Sequence, residues 1–132
     1  MPRMKLDAVS VSSTDFAQSV KFYSLLGFIF PKFEAGAMHL EPITPPGDVR
    51  LMIDSADLMK KLTGKKPVPA THSSFAIKCE NPKDVDTAVA AIKKAGFTVV
   101  KNPWDAFWGQ RYAIVADPDG YMTDLFATLA EP

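Results

Sequence analysis

Two segments of the sequence share one pattern of residues. Positions 15–28 begin with Asp-Phe and end with Gly-Phe, and positions 84–97 begin with Asp-Val and end with Gly-Phe. The two segments lie 69 positions apart and have equal length. Repetition at a fixed spacing indicates two copies of one structural unit. A fold for this chain therefore has to contain the same module twice.

Each copy has the apolar spacing of an amphipathic helix, because residues at i, i+4 and i+7 share one helical face. The apolar residues at these positions are Phe16, Val20 and Tyr23 in the first copy and Val85, Val89 and Ile92 in the second. Residues that favour helix ends flank both segments. They are Ser13, Thr14 or Asp15 and Gly27 for the first helix, and Asn81, Pro82 and Gly96 for the second.

Strand-like runs flank each predicted helix. They cover positions 6–11, 28–33, 37–43 and 49–53 in the first copy, and 73–79, 97–100, 112–116 and 122–127 in the second. Turn residues separate strands at 45–48 and 117–120. The order strand, helix, strand, strand, strand is therefore predicted twice.

This order predicts an α+β fold of two tandem βαβββ modules within a single domain over positions 1–132. The first module covers 4–62, including a short helix at 55–62; a linker covers 63–71; and the second module covers 72–130. Each sheet can bury one face on its helix. Side by side, the modules would form a curved mixed sheet with a concave ligand cleft.

The amino-acid composition disfavours several classes of function. The 132 residues carry 15 Lys and Arg against 15 Asp and Glu, so the net charge is zero. A neutral chain disfavours nucleic-acid binding and polybasic attachment to a membrane. No apolar run reaches the length of a membrane span, the amino terminus lacks the apolar core of a signal peptide, and there is one cysteine. These features predict a cytoplasmic protein.

Several motifs resemble a known superfamily. Trp-Gly at 108–109 and Asp-Pro-Asp-Gly at 117–120 follow Phe-Tyr at 22–23 and Leu-Gly-Phe at 26–28. This pattern resembles the vicinal oxygen chelate superfamily of glyoxalases, bleomycin-resistance proteins and extradiol dioxygenases. The run 103–112 is most similar to small mitomycin-binding drug-resistance proteins. The resemblance implies a homodimer, with pockets completed by modules from two chains.

The resemblance also implies where a metal would bind. Enzymes of the superfamily hold a divalent ion with His and Glu side chains on the first and last strand of each module. The matching positions here are Ala8, Leu51, Ser74 and Asp124. Three of these four residues are not metal ligands, and a single carboxylate does not hold a divalent ion usefully. The sequence therefore predicts no metal and no other cofactor.

A rearranged metal site is the open alternative. His39 and Glu41 are two positions apart, so their side chains would share one strand face. Together with His72 and Asp124 they could form a different ligand set. Otherwise His39 and Glu41 belong to a solvated strand edge or anchor a polar ligand, and His72 is an exposed linker residue.

Aromatic residues are concentrated in the run 104–112. Tryptophan suits the half-wet wall of a pocket, because its large ring is apolar and its indole N–H requires a partner. The alternative is that these rings fill a gap between modules or between the halves of a dimer. Acidic groups beside them would attract a cationic ligand. The predicted ligand-binding residues are Trp104, Trp108, Tyr112, His39, Glu41, Asp124, Phe30 and Met52.

Three functions fit the sequence. The first is a metal-free binding protein that sequesters a planar aromatic, drug-like molecule. The second is a metal-dependent lyase, isomerase or dioxygenase of the same fold, and the third is a regulatory or interaction module without a small ligand. No residue is assigned a catalytic role, and Cys79 is interpreted as an inert buried thiol.

Overall fold

The computed structural model describes residues 4–69 and 75–130 and has the predicted α+β class. Two long helices and one short helix accompany seven strands in these residues. In chain order the elements are β1 (Ala8–Ser13), α1 (Phe16–Leu25), β2 (His39–Leu40), β3 (Arg50–Ser55), α2 (Ala56–Thr63), β4 (Phe75–Lys78), α3 (Pro82–Lys94), β5 (Thr98–Ala106), β6 (Gln110–Ala116) and β7 (Met122–Thr128).

The strands form two sheets, one in each module. The first has the order β1-β3-β2 and the second the order β4-β7-β6-β5. In both, the first strand of the module pairs in parallel with its last strand, and the remaining pairs are antiparallel. The sequence repeat is therefore also a repeat of topology, and the strands of the described residues form two sheets instead of one continuous sheet.

The helices begin at side chains that satisfy free backbone N–H groups. The Asp15 carboxylate accepts from the backbone N–H of Gln18 at 3.3 Å, which selects Asp15 from the three predicted caps of α1. Asn81 and Asp84 form a reciprocal capping box at the start of α3. Ser55 caps the predicted short helix, α2.

Strand alternation separates a buried face from an open face in each sheet. On β3, Leu51 and Ile53 are buried, whereas the alternating residues are half-buried. One hydrophobic cluster contains core residues from both sheets and both long helices. The side chains on the opposite side of the first sheet, here called the first open face, belong to Ala8, Ser10, His39, Arg50, Met52 and Asp54. Those of the second open face belong to Ala76, Trp104, Tyr112, Ile114, Asp124 and Phe126.

The turn at 117–120 connects the two modules through side-chain hydrogen bonds. The Tyr23 hydroxyl, on α1, donates to the buried Asp117 carboxylate at 2.7 Å. Asp119 accepts from the Thr14 hydroxyl at 2.7 Å and from its backbone N–H at 3.2 Å. Burial raises the pKa of Asp117 and that of Tyr23 above their ordinary values. This set of contacts is called the clasp below.

Three predicted strands differ most from the structure. Positions 28–33 form no strand; Pro31 has no backbone N–H to donate, and Phe28 and Phe30 pack on the core instead. The strand predicted over 37–43 shortens to β2. β5 is longer than predicted and runs through Pro103, which an edge strand tolerates.

The predicted linker begins inside α2, because Thr63 is still helical. Positions 70 and 71 lie outside the described residues. In the parts of the chain that the structure describes, no helix is long and apolar enough to cross a bilayer.

Candidate functional site

Three aromatic side chains meet on the second open face: Trp104, Trp108 and Tyr112, here called the aromatic cluster. The Trp108 ring centroid lies 5.5 Å from that of Trp104 and 5.3 Å from that of Tyr112, with the rings edge-on in both pairs. Tyr112 lies opposite Trp104 on one side and opposite Phe126 on the other. A row of aromatic rings therefore crosses three neighbouring strands.

Two irregularities in β5 place Trp104 opposite Tyr112. Val99 pairs with Val115 on the core side, but the register shifts before Lys101 and again before Trp104. Each shift inserts one extra residue, so Lys101 lies opposite Ile114 and Trp104 lies opposite Tyr112. Lys101 then places its ammonium group 5.2 Å from the centroid of the Trp104 ring.

The β5–β6 hairpin brings Trp108 to the same place. Gly109 has a φ of 89°, a left-handed conformation that favours glycine, and its N–H donates to the Ala106 carbonyl at 3.0 Å. Trp108 is 47% exposed, and its indole N–H donates to the Gln110 side chain at 2.8 Å. The Trp104 indole N–H is buried and has no acceptor among the described residues.

Asp124 is next to the aromatic cluster and interacts with Tyr112. Burial, followed by a hydrogen bond with the Asp124 carboxylate, raises the pKa of Tyr112 to about 12. The Tyr112 hydroxyl therefore stays protonated at neutral pH and donates to a carboxylate. The second open face combines apolar rings with one negatively charged group.

The first open face carries a chain of charged groups. His39 Nδ1 lies 2.6 Å from Asp54 Oδ1, and His39 Nε2 lies 2.7 Å from Glu41 Oε2. Arg50 Nη1 donates to both carboxylate oxygens of Glu41, at 2.7 and 2.9 Å. The guanidinium also donates to Asp7 at 2.8 Å. Charged side chains from three strands and their flanking residues are thus linked in one network.

Both ring nitrogens of His39 face carboxylate oxygens, so the ring is a doubly protonated imidazolium that donates to both. Hydrogen bonds with Asp54 and Glu41 raise the pKa of His39 above its ordinary value of 6.5. A metal ion on either ring nitrogen would have to replace the proton that this nitrogen shares with a carboxylate. Within residues 4–69 and 75–130 no group of three or more His, Cys, Asp or Glu side chains could hold a metal ion. His72, the remaining member of the rearranged set, lies outside those ranges.

The positions matched to metal ligands do not form a ligand set in the described residues. Leu51 is buried in the core, so the residues of β3 that reach the open face are Arg50, Met52 and Asp54. Ala8 lies on β1 opposite Arg50 and offers no ligand atom in its side chain. Ser74 is outside the described residues. The residues present do not fit the metal centre that the superfamily implies.

The structure divides the predicted ligand-binding residues between two places. Trp104, Trp108, Tyr112 and Asp124 lie together at the second open face. His39, Glu41 and Met52 belong to the first sheet. Phe30 packs against the core cluster instead of forming part of either face. Cys79 is half-buried, and burial raises the pKa of its thiol.

Three polar or aromatic neighbours of these residues were not among the predicted site residues. Phe126 alternates with Asp124 on β7, and Arg50 alternates with Met52 on β3, so strand periodicity could have identified both. Gln110, the acceptor for Trp108, carries no such signal because it depends on the hairpin conformation.

Comparison with known proteins defines the family. A sequence model of the glyoxalase/bleomycin resistance protein/dioxygenase superfamily matches residues 5–125. No curated protein matches the sequence.

Solved structures share the fold. A glyoxalase/bleomycin resistance protein/dioxygenase from Nocardioides is 23% identical with a TM-score of 0.72, over 100% of this chain and 88% of its own. A glyoxalase-related enzyme from Fulvimarina pelagi is 15% identical with a TM-score of 0.80, over 96% and 89%. A glyoxalase/bleomycin resistance protein from Albidiferax ferrireducens is 24% identical with a TM-score of 0.70, over 92% and 97%. With its repeated modules and the match over nearly its whole length, the chain belongs to the glyoxalase/bleomycin resistance protein/dioxygenase superfamily.

Proposed function

We propose that the chain is a metal-free protein that binds and sequesters a planar aromatic, drug-like molecule on the second open face. The observation that carries the proposal is the aromatic cluster, where indole and phenol rings lie outside the core on a sheet face that none of the described helices covers. A flat ligand that packs on these rings gains contact area while the rings lose little side-chain entropy. The similarity of the run 103–112 to mitomycin-binding proteins supports this choice.

Polar groups beside the cluster supply the directional contacts. The Trp104 indole N–H lacks an acceptor among the described residues, and a carbonyl oxygen on the ligand can supply one once the side chains that bury this N–H move aside. Asp124 adds a negative charge that favours a ligand with an amine or another cationic group. The proposed ligand is therefore a planar aromatic molecule with a carbonyl group and a cationic or donor substituent.

Trp108→Ala should weaken binding more than tenfold, because it removes a stacking partner together with half-exposed apolar surface. A stacked ring contributes about 0.5–1.5 kcal/mol beyond its buried area, and about 1.4 kcal/mol corresponds to a factor of ten. Calorimetric titration with a mitomycin-like, a bleomycin-like and a simple quinone ligand measures the change.

Phe107→Ala is the matched control, because Phe107 is the neighbouring ring but is 92% exposed. It should change affinity less than Trp108→Ala does. Thermal melting of both variants shows whether the fold is intact. Unchanged affinity with a strongly lowered melting temperature in Trp108→Ala would mean that the indole is structural. A stoichiometric metal that survives dialysis and supports turnover would favour the enzyme instead.

We also propose that the protein acts as a homodimer. Each sheet has an open face outside the core, and a second copy can cover these faces to complete an enclosed pocket. Analytical ultracentrifugation at micromolar concentration should give the mass of two 14.4 kDa chains. A single monomeric species under these conditions would contradict the proposal.

A further inference from the structure

The strand β2 is held in place by few backbone contacts. It has two residues, which pair with Asp54 and Ile53 of β3. Beside it, the Ser55 N–H donates to the Met38 carbonyl at 2.8 Å. Two residue pairs give the strand little stability. Side-chain contacts therefore contribute a large share of the free energy that holds this segment against β3.

His39 provides two of those contacts, one through each ring nitrogen, in addition to the buried Leu40 side chain and the Arg50–Glu41 ion pair. One nitrogen faces Asp54 on β3 and the other faces Glu41, immediately after β2. A neutral imidazole has one N–H, whereas the imidazolium has two. Loss of one proton therefore removes one of the two hydrogen bonds and leaves a ring lone pair facing a carboxylate oxygen.

The other charged groups described near His39 are carboxylates, a guanidinium and an ammonium. Arg50 holds Glu41 and Asp7 at hydrogen-bond distance, and an arginine does not deprotonate in proteins. Lys32 and Glu34 line the same side of β2. His39 is thus the group in this network that changes its charge near neutral pH.

A cavity of about 340 Å³ lies beside this strand. It opens between the segment 31–34 and β2, and the side chains of His39 and Glu41 form part of its wall. Its lining residues are Pro31, Lys32, Phe33, Glu34, Ala37, His39, Leu40 and Glu41. Movement of β2 away from β3 would change the shape of this cavity directly.

We propose that residues 37–41 form a proton-operated strap, in which the His39 imidazolium pins β2 to β3 and deprotonation of the ring loosens β2 and reshapes the adjacent cavity. The proposal concerns the first open face and stands independently of ligand binding on the second. The strap gives the protein a pH-dependent conformation in a segment that borders an open cavity.

The direction of the pH effect follows from the two titrating partners. The pKa of His39 is raised, mainly by its hydrogen bond with Asp54, so its stabilising contribution is complete below about pH 6.5 and disappears as the pH rises through the raised value. The pKa of Glu41 is lowered, mainly by its hydrogen bond with His39, so its contribution is lost as the pH falls through the lowered value. The strap is closed between these two limits.

Amide hydrogen exchange tests the strap. The protection factor of the Ser55 amide, which is corrected for intrinsic exchange, should fall about fivefold between about pH 5.5 and about pH 9, a range that spans histidine titration. In His39→Gln it should be low throughout this range and independent of pH. His72→Gln is the matched control and should behave as the wild type, because it removes the other histidine of the chain.

An NMR titration of the His39 ring provides a second measurement in the folded wild type. The ring should titrate above its ordinary pKa of 6.5, and Asp54→Asn should bring this value down. Protection of Ser55 that does not depend on pH in the wild type would overturn the proposal. An identical pH dependence in His39→Gln would also overturn it, because another group would then be responsible.

Discussion

Asp117→Ala should lower the free energy of unfolding by about 3–5 kcal/mol, because it leaves three donors without their acceptor in a buried place. The Asp117 side chain is 4% exposed and accepts from the Tyr23 hydroxyl at 2.7 Å. It also accepts from the backbone N–H groups of Asp119 and Tyr121, each at 2.9 Å. A domain of this size is typically stable by roughly 5–15 kcal/mol, so the loss is a large fraction of the total. Urea denaturation measures it.

Two variants separate the clasp from a general effect of acidic residues. Asp119→Ala removes an exposed acceptor of Thr14 and should cost about 1 kcal/mol or less. Asp117→Asn keeps an oxygen acceptor for the backbone N–H groups and should be less harmful than Asp117→Ala. If Asp117→Ala unfolds at the same urea concentration as the wild type, the clasp does not hold the modules together.

Phe22→Ala should destabilise the fold by about 3–5 kcal/mol through loss of buried surface and creation of a cavity. Phe22 is completely buried on α1 and makes edge-on contacts with Tyr23 at 4.9 Å and Phe97 at 5.4 Å. Phe97 belongs to the second module, so the ring joins the halves of the shared core.

The size of the Phe22 effect can be compared with that of an exposed ring. Phe107→Ala removes the same side chain from a position that is 92% exposed and should change stability by less than about 0.5 kcal/mol. Thermal and urea unfolding of both variants provide the comparison. Equal stability of the two variants would show that the modules do not depend on the Phe22 contacts.

Local sequence signals predicted the helices well. The apolar spacing from Phe16 to Tyr23 identified the buried side of α1, and Asn81 was correctly identified as the cap of α3. These features depend on residues within one or two turns of each other. The family motifs, in addition, predicted the fold class, which the structure and the family match confirm.

Contacts between distant positions could not be predicted in the same way. Asp117 reads as a turn residue, and nothing near it in sequence indicates that it accepts from Tyr23. Alternation from Val99 gives the face of Trp104, but its pairing with Tyr112 depends on two register shifts that no local signal indicates. The sequence predicted His39 and Glu41 on one strand, but β2 ends at Leu40, and Asp54 and Arg50 complete the network of these side chains from another strand.

The two extra residues in β5 also restrict the insertions and deletions that the protein can accept in this strand. From Val99 to Trp104 the strand spans five positions, whereas its partner spans three from Val115 to Tyr112. Deleting one residue between Val99 and Trp104 would remove one of the two irregularities and disturb the placement of Lys101 beside the indole. Substitutions at the exposed Lys101 and Asn102 should be tolerated far better than any deletion there. Homologous chains that share the second open face should therefore differ in the amino acids of this segment but keep its length.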